Sequence, residues 1–372
     1  MAAGIEGAEV RSGLEGVVVA ETRLSEVDGA RGRLVVRGHD VEALAREARF
    51  EDVYGLLLDG ALPDGAASAR IAALLGAARA QAFERLPRLG DALATAHGMD
   101  ALRAGVAHLV EAATPEATCA RLAGAVGVFA AAWARVRRGA APIAPDPALP
   151  HADDVLRMAT GECDPARARA FDAYLVTVAE HGMNASSFTA RVVASTRADL
   201  VSAVVAALGA LKGPLHGGAP GPVLDMLDAI AAPERAAAWL EAELAAGRRI
   251  MGLGHRVYRV RDPRAAVLEA ALERLEAAGV GSRYLALARA VERAAVEVLA
   301  RRHPGRGLEA NVEFYTAVLL DAVGLPRALF TPAFAAGRVA GWLAHAREQL
   351  AEGRIIRPAQ RYVGPRPAAP LH

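Results

Sequence analysis

The sequence predicts an all-α fold with one small β-hairpin near its start, and three observations carry that expectation. Convincing strand signals are confined to the first forty residues. Beyond them, apolar residues recur with helical spacing. No alternation of strands and helices appears, which disfavours a parallel-sheet architecture. The 372 residues, 53% hydrophobic and 23% charged, suffice for two or three domains around a large core and exclude disorder as the main state.

The elements follow in chain order. Val17-Val18-Val19 and Leu34-Val35-Val36 read as strands, with turn chemistry at Asp28-Gly29-Ala30-Arg31-Gly32 between them. Residues 139–150 are Pro-rich and predict a loop between helices. Val201, Val204, Val205, Leu208 and Leu211 form one helical stripe, stopped by Gly213-Pro214. Leu287, Val291, Ala294 and Val298 form another, stopped by His303-Pro304-Gly305.

Lys+Arg (43) nearly balances Asp+Glu (42), and aromatic residues are only 5%, so neither nucleic acid nor an anionic membrane is an expected partner. No run approaches 18 uncharged apolar residues. The first sixteen residues lack the apolar core of a secretory signal, and a cytoplasmic protein is expected. Cys119 and Cys163 have no CxxC or framework spacing and read as small buried hydrophobes.

Histidines among glycines are the first chemical signal. His216 lies in Gly213-Pro214-Leu215-His216-Gly217-Gly218, where small residues let a ligand approach the backbone; a turn with an incidental histidine fits the same local chemistry. His255 follows Gly252-Leu253-Gly254, which is neither GxGxxG nor a P-loop. Arg338 sits within an apolar helix, where a guanidinium must snorkel, pair with a carboxylate or meet an anion. Arg264 follows Asp262-Pro263 and Arg357 precedes Pro358. Glu313 lies between apolar neighbours in Asn311-Val312-Glu313-Phe314-Tyr315, as a solvent-facing residue or as a base raised by burial. No HExxH, metal-spaced carboxylates or GxSxG occur, and Ser186-Ser187 lacks the context of a nucleophile elbow.

Taken together and in order, LSEVDGARGRLVVRGHDVEALA (24–45), HGMNASSFTARVVAST (181–196), GPLHGG (213–218), GLGHRVYRVRDPRA (252–265), NVEFYTAVLLDAVG (311–324) and the segment 330–365 resemble the citrate synthase family over nearly the whole chain. The resemblance implies a helical homodimer with a large domain over 1–216 and 322–372 and a small CoA-binding domain over 217–321. It implies an acyltransferase that condenses acetyl-CoA with oxaloacetate to citrate and CoA, without metal or redox cofactor. Glu313 falls where the family has its aspartate base; His216 and His255 fall at the positions that polarise thioester and ketone. Arg264, Arg338 and His181 would hold oxaloacetate, joined by Arg357 from the other subunit. Arg259, Arg306 and the backbone of Ile250, Gly252 and Gly254 would meet CoA. Two departures stand out: NVEFY replaces the usual NVDFY, and GGAP, with Pro220, replaces GGAN. 2-Methylcitrate synthase, which uses propionyl-CoA and the same residues, is the alternative within the family. A non-catalytic CoA- or dicarboxylate-binding paralogue is the alternative outside catalysis.

Overall fold

The computed structural model describes residues 9–162, 164–218, 220–254, 258, 260–302 and 308–365. Three short strands open the chain: β1 (Ser25–Asp28), β2 (Arg33–Val36) and β3 (His39–Asp40), antiparallel in the order β1-β2-β3. Asp28 pairs with Arg33 and Ser25 with Val36, while Val35 faces Asp40. The expected strand at Val17–Val19 is absent, and Val18 is 86% exposed. The turn explains the shift. Asp28 Oδ1 accepts the Ala30 and Arg31 N–H groups at 3.1 and 3.0 Å, so the chain reverses immediately and β2 pairs with its direct neighbour, Ser25–Asp28. The third strand, unforeseen in the sequence, returns through Arg37 (φ 50°) and Gly38 (φ 87°).

Fifteen α-helices follow among the described residues. They are α1 (Val41–Glu47), α2 (Phe50–Asp59), α3 (Gly65–Phe83), α4 (Gly98–Ala107), α5 (Pro115–Arg137), α6 (His151–Thr160), α7 (Pro165–Ala179) and α8 (Ala185–Ser195). After these come α9 (Leu200–Leu211), α10 (Pro220–Ile230), α11 (Ala236–Ala245), α12 (Pro263–Ala277), α13 (Leu285–Arg302), α14 (Val312–Ala322) and α15 (Phe330–Glu352). Their starts are written locally. Asp64, Thr114, Asp164, Asn184, Asp199, Asp262 and Asn311 each cap a helix by accepting a first-turn N–H. Gly60, Gly161 and Gly353 end α2, α6 and α15 in the left-handed conformation. Residues 139–150 form a loop and the stripe 201–211 forms α9, as the sequence predicts.

The core is built around α5 and α15. α5 packs on α3, α4, α6 and α15, and α15 packs also on α7, α8 and α9. α5 is long and apolar enough in composition to cross a membrane, although charged residues interrupt it, and 89% of its apolar window is buried inside the fold. α15 lies so close to α7 that a Cβ on Gly341 would stand 2.2 Å from the Ala179 carbonyl oxygen. Only glycine permits that approach, and it brings the polar residues of α15 against the end of α7. α12 packs on α1, α7 and α14, which sets the starts of α12 and α14 opposite the α7–α8 turn.

Candidate active site

α15 carries Arg338, Trp342, His345 and Gln349, a buried stripe at i, i+4, i+7 and i+11 along an otherwise apolar helix. Trp342 Nε1–H donates to Ser186 Oγ at 2.9 Å. His345 Nδ1 accepts from Arg191 Nε–H at 2.9 Å, which puts the ring proton on Nε2, 3.1 Å from Glu180 Oε1. Glu180 Oε1 also accepts from Ser25 Oγ (2.8 Å) and the Gly182 N–H (2.7 Å). Burial opposes the charge of Glu180, but His345, Arg338 and Ser25 outweigh it and hold the carboxyl below its ordinary value. The Gly182 bond, with Gly182 at φ 87°, closes a tight turn around His181.

That turn faces a cavity of about 150 Å³ whose wall includes His181, Asn184, His216, Arg264, Glu313 and Phe334. His216 is placed by the Gly213 turn, its N–H donating to the Gly213 carbonyl at 2.9 Å. Its Nε2 lies 2.7 Å from Ser186 Oγ. Burial, and then the Arg338 charge, push its pKa down to about 4, so the ring is neutral at physiological pH. Burial and the charges of Arg338 and Arg264 likewise hold His181 well below the ordinary histidine value.

Glu313 sits in the first turn of α14, where Asn311 Oδ1 accepts its N–H at 3.0 Å. Burial, opposed by Arg264 and Arg338 and aided by Asp262, pushes its carboxyl up to about 7. A carboxylate so placed is matched to proton transfer near neutrality. Arg264 is buried and held by its own helix cap, with Nε and Nη2 donating to Asp262 at 3.0 and 2.7 Å. Asp262 also accepts the Val312 N–H at 3.2 Å, tying the starts of α12 and α14 together.

Arg338 is the least satisfied of these groups. It is fully buried, and Nε donates to the Val178 carbonyl at 2.5 Å. Nη1 and Nη2 have no hydrogen-bond partner. The guanidinium packs 4.8 Å from the Phe334 ring centroid, so it stands behind the cavity wall rather than on it. Burial lowers its pKa to about 10, with Glu180 supporting the charge, and it remains a cation.

The other expected residues divide three ways. Gly252 and Gly254 take φ values of 74° and 77°, and Gly254 N–H donates to the Glu309 carbonyl at 2.8 Å. Asn311 N–H donates to the Gly252 carbonyl at 2.9 Å, so this segment, with buried Ile250, braces the residue that caps Glu313. Arg357 is exposed on the segment after α15, away from the cavity. His255, Arg259 and Arg306 lie outside the described residues, as do Cys163 and the stop at 303–305. Cys119 is buried as expected. Among the described residues no cluster of three metal-ligating side chains occurs.

The sequence reading missed Asn184, Ser186, Trp342, Glu180 and His345. Ser186, which lacks the sequence context of a nucleophile elbow, is instead the hydrogen-bond partner of His216. Asn184 left a readable signal, an amide two residues before a serine at a helix start.

A family model described as "Citrate synthase, C-terminal domain" matches residues 13–359. A citrate synthase of Acidithiobacillus ferridurans is 39% identical, covering 95% of both chains. A 2-methylcitrate synthase of Mycobacterium tuberculosis is 38% identical over 96% of this chain and 92% of its own. The crystal structure of citrate synthase from Thermotoga maritima superposes with a TM-score of 0.86 at 32% identity, covering 98% of each chain. A Thermoplasma acidophilum citrate synthase, in ternary complex with carboxymethyl coenzyme A and oxaloacetate, gives a TM-score of 0.84 at 29% identity, covering 98% of each chain. By sequence over nearly its full length and by the fold that places His216, Glu313 and Arg338 together, this chain belongs to the citrate synthase family.

Proposed function

We propose that this chain is an acyltransferase that condenses acetyl-CoA, oxaloacetate and water to citrate and CoA, and that Arg338 is the observation carrying this reading most directly. A buried cation with two open N–H groups is costly unless an anion completes it. Oxaloacetate brings two carboxylates. One takes Nη1 and Nη2 of Arg338 as the Phe334 ring gives way; Arg264, held rigidly by Asp262, and Arg357 of a second copy share the remaining charge. A dimer is part of the reading, since the segment bearing Arg357 also leaves Ile355, Tyr362 and Val363 exposed at 61%, 71% and 87%.

The chemistry follows from the protonation states. Glu313, near 7, takes a proton from the thioester methyl, and the carbonyl oxygen gains charge as the enol forms. Ser186 Oγ accepts the Trp342 proton and has two acceptors within reach of its own, Asn184 Oδ1 at 2.8 Å and His216 Nε2 at 2.7 Å, of which Asn184 Oδ1 already accepts the Ser186 and Ser187 N–H groups. We therefore assign the Ser186 hydroxyl proton to His216 Nε2, leaving the proton of the neutral ring on Nδ1 to donate to that oxygen. The enol carbon attacks the oxaloacetate ketone, whose oxygen His255 protonates, and water then cleaves the citryl thioester to release citrate and the free thiol. No electron leaves or enters the reactants, so the reading needs no redox cofactor, and with His216 and His255 polarising the two carbonyls it assigns no role to a metal.

In the proposed division of the chain, 1–216 and 322–372 supply His181, His216 and Phe334, while 217–321 supplies Arg264 and Glu313. The cleft between them would close on substrate and exclude water. Arg259, Arg306 and the 250–254 backbone would hold CoA. Both substrates are intracellular metabolites, which puts the reaction in the cytoplasm. The likeness to a 2-methylcitrate synthase supports propionyl-CoA as the second reading. The test is free-thiol release with oxaloacetate and either thioester. A higher kcat/KM with acetyl-CoA is expected; a higher one with propionyl-CoA would select the second reading, and no release with either would reduce the chain to a binding protein.

A further inference from the structure

A second cavity, of about 210 Å³, lies on the far side of α15 from Arg338 and belongs to nothing described above. Arg23, Arg37 and Arg347 line it over a floor of Leu57, Leu58 and Ala344. Glu348, its one acidic wall residue, is already engaged: Oε1 accepts the Arg23 backbone N–H at 2.9 Å and Oε2 accepts from Arg191. Among the described residues none of the three guanidiniums forms an ion pair, and the nearest further acidic influence is that of Glu116 on Arg347. Arg37 Nη2 donates to the Leu57 carbonyl at 3.0 Å, while its Nε is buried without a partner. Arg347 bonds Cys119, and its Nη1 is buried without a partner. Arg37 also keeps a left-handed backbone, φ 50°, in the β2–β3 turn, a conformation that favours glycine or asparagine.

Three like charges gathered over a leucine floor repel one another, and their orphaned N–H groups need acceptors. A phosphate group answers both needs, with about two negative charges and several oxygens that match the guanidinium fork. We propose that this cavity is an anion-binding site for a phosphate group, separate from the substrate cleft and independent of the reaction proposed above. Its volume accommodates a phosphate and a few further atoms, which fits inorganic phosphate or a small phosphate monoester.

The test is calorimetric titration of inorganic phosphate, and separately of glycerol 3-phosphate, into the intact protein at constant ionic strength. Saturable binding is expected. Arg347→Gln should weaken it about tenfold or more, the loss of one charge-assisted contact. Arg23→Gln, at an exposed position where folding is not at risk, should weaken it to a smaller degree. Arg338→Leu, which discharges the other cavity, should leave it in place. The tighter of the two titrants identifies the source of the phosphate group. Binding unchanged in both Arg347→Gln and Arg23→Gln, or no binding to the parent up to about 10 mM, would overturn the proposal, since that limit is already a very weak site.

Discussion

Arg79 and Arg338 are both fully buried in the helical core, and they differ in how completely they are met. Arg79 Nε donates to Asp154 at 2.7 Å, Nη1 faces His151 Nδ1 at 3.3 Å, and Nη2 reaches the Asp146 and Leu149 carbonyls at 3.3 and 2.7 Å. Arg338 has one carbonyl, one aromatic face and two open Nη groups. The same side chain at the same depth is structural where the protein supplies every acceptor, and where two are withheld it is the receptor of the proposed function. The distinction lies in the partners, and burial alone does not make it.

The largest expected effect tests the group that the receptor side serves. Glu313→Gln keeps size but cannot take a proton, so turnover should fall by ~10²–10⁴ with folding intact. Glu313→Asp withdraws the carboxylate by about one methylene and should cost ~10²-fold in steady-state assays.

The two arginines should then separate cleanly. Arg338→Leu should raise the oxaloacetate KM by roughly 10²-fold or more, since charge-assisted bonds are worth about 1.5–3 kcal/mol each. Its melting temperature should change little, because losing an incompletely paired buried charge is offset by the support that charge gives to buried Glu180. Arg79→Leu should do the reverse. It strips buried Asp154 of one of its two guanidinium partners, Arg157 staying at 2.6 Å, and opens the Leu149 carbonyl, so it should cost about 1–3 kcal/mol in denaturant unfolding, with KM unchanged in the folded fraction.

Ser186→Ala removes the partner of His216 Nε2 and should lower kcat by about tenfold, the worth of one buried hydrogen bond. KM for oxaloacetate should move little, which sets it apart from the arginine.

The smallest effects are pH-dependent. Glu313 acts as a base only when ionised, so kcat/KM should rise with pH through about 7 and level off above it. The stability sign is opposite. A carboxyl raised in the folded state favours folding below its unfolded value and loses that contribution as pH climbs through about 7. Glu313→Gln should therefore match the parent in melting temperature near pH 4 and exceed it above pH 7.

Local signals made much of this legible. Periodic apolar residues placed α9 and α13, a stop signal closed α9, and residue type within an apolar or glycine setting singled out His216, Glu313 and Arg338. What escaped depends on contacts between distant segments. Trp342 meets Ser186 across 156 positions and His345 meets Glu180 across 165, and neither pairing leaves a local pattern. Val17–Val19 misled because β-propensity describes a strand that finds a partner, and the Asp28 turn had already given β2 to Ser25–Asp28. Arg79 escaped for the opposite reason: its flanking alanines read as ordinary helix, and only the fold brings Asp154 to it.

The central claim is that Arg338 is left open for a substrate carboxylate. Calorimetric titration of oxaloacetate alone, without any thioester, into the parent and Arg338→Leu tests it without involving catalysis. The account predicts saturable binding in the parent and a loss of roughly 10²-fold or more in the variant at a little-changed melting temperature. Equal affinity in the two proteins, or a variant that loses stability and keeps its oxaloacetate, would place Arg338 beside Arg79 as a structural cation and contradict the account.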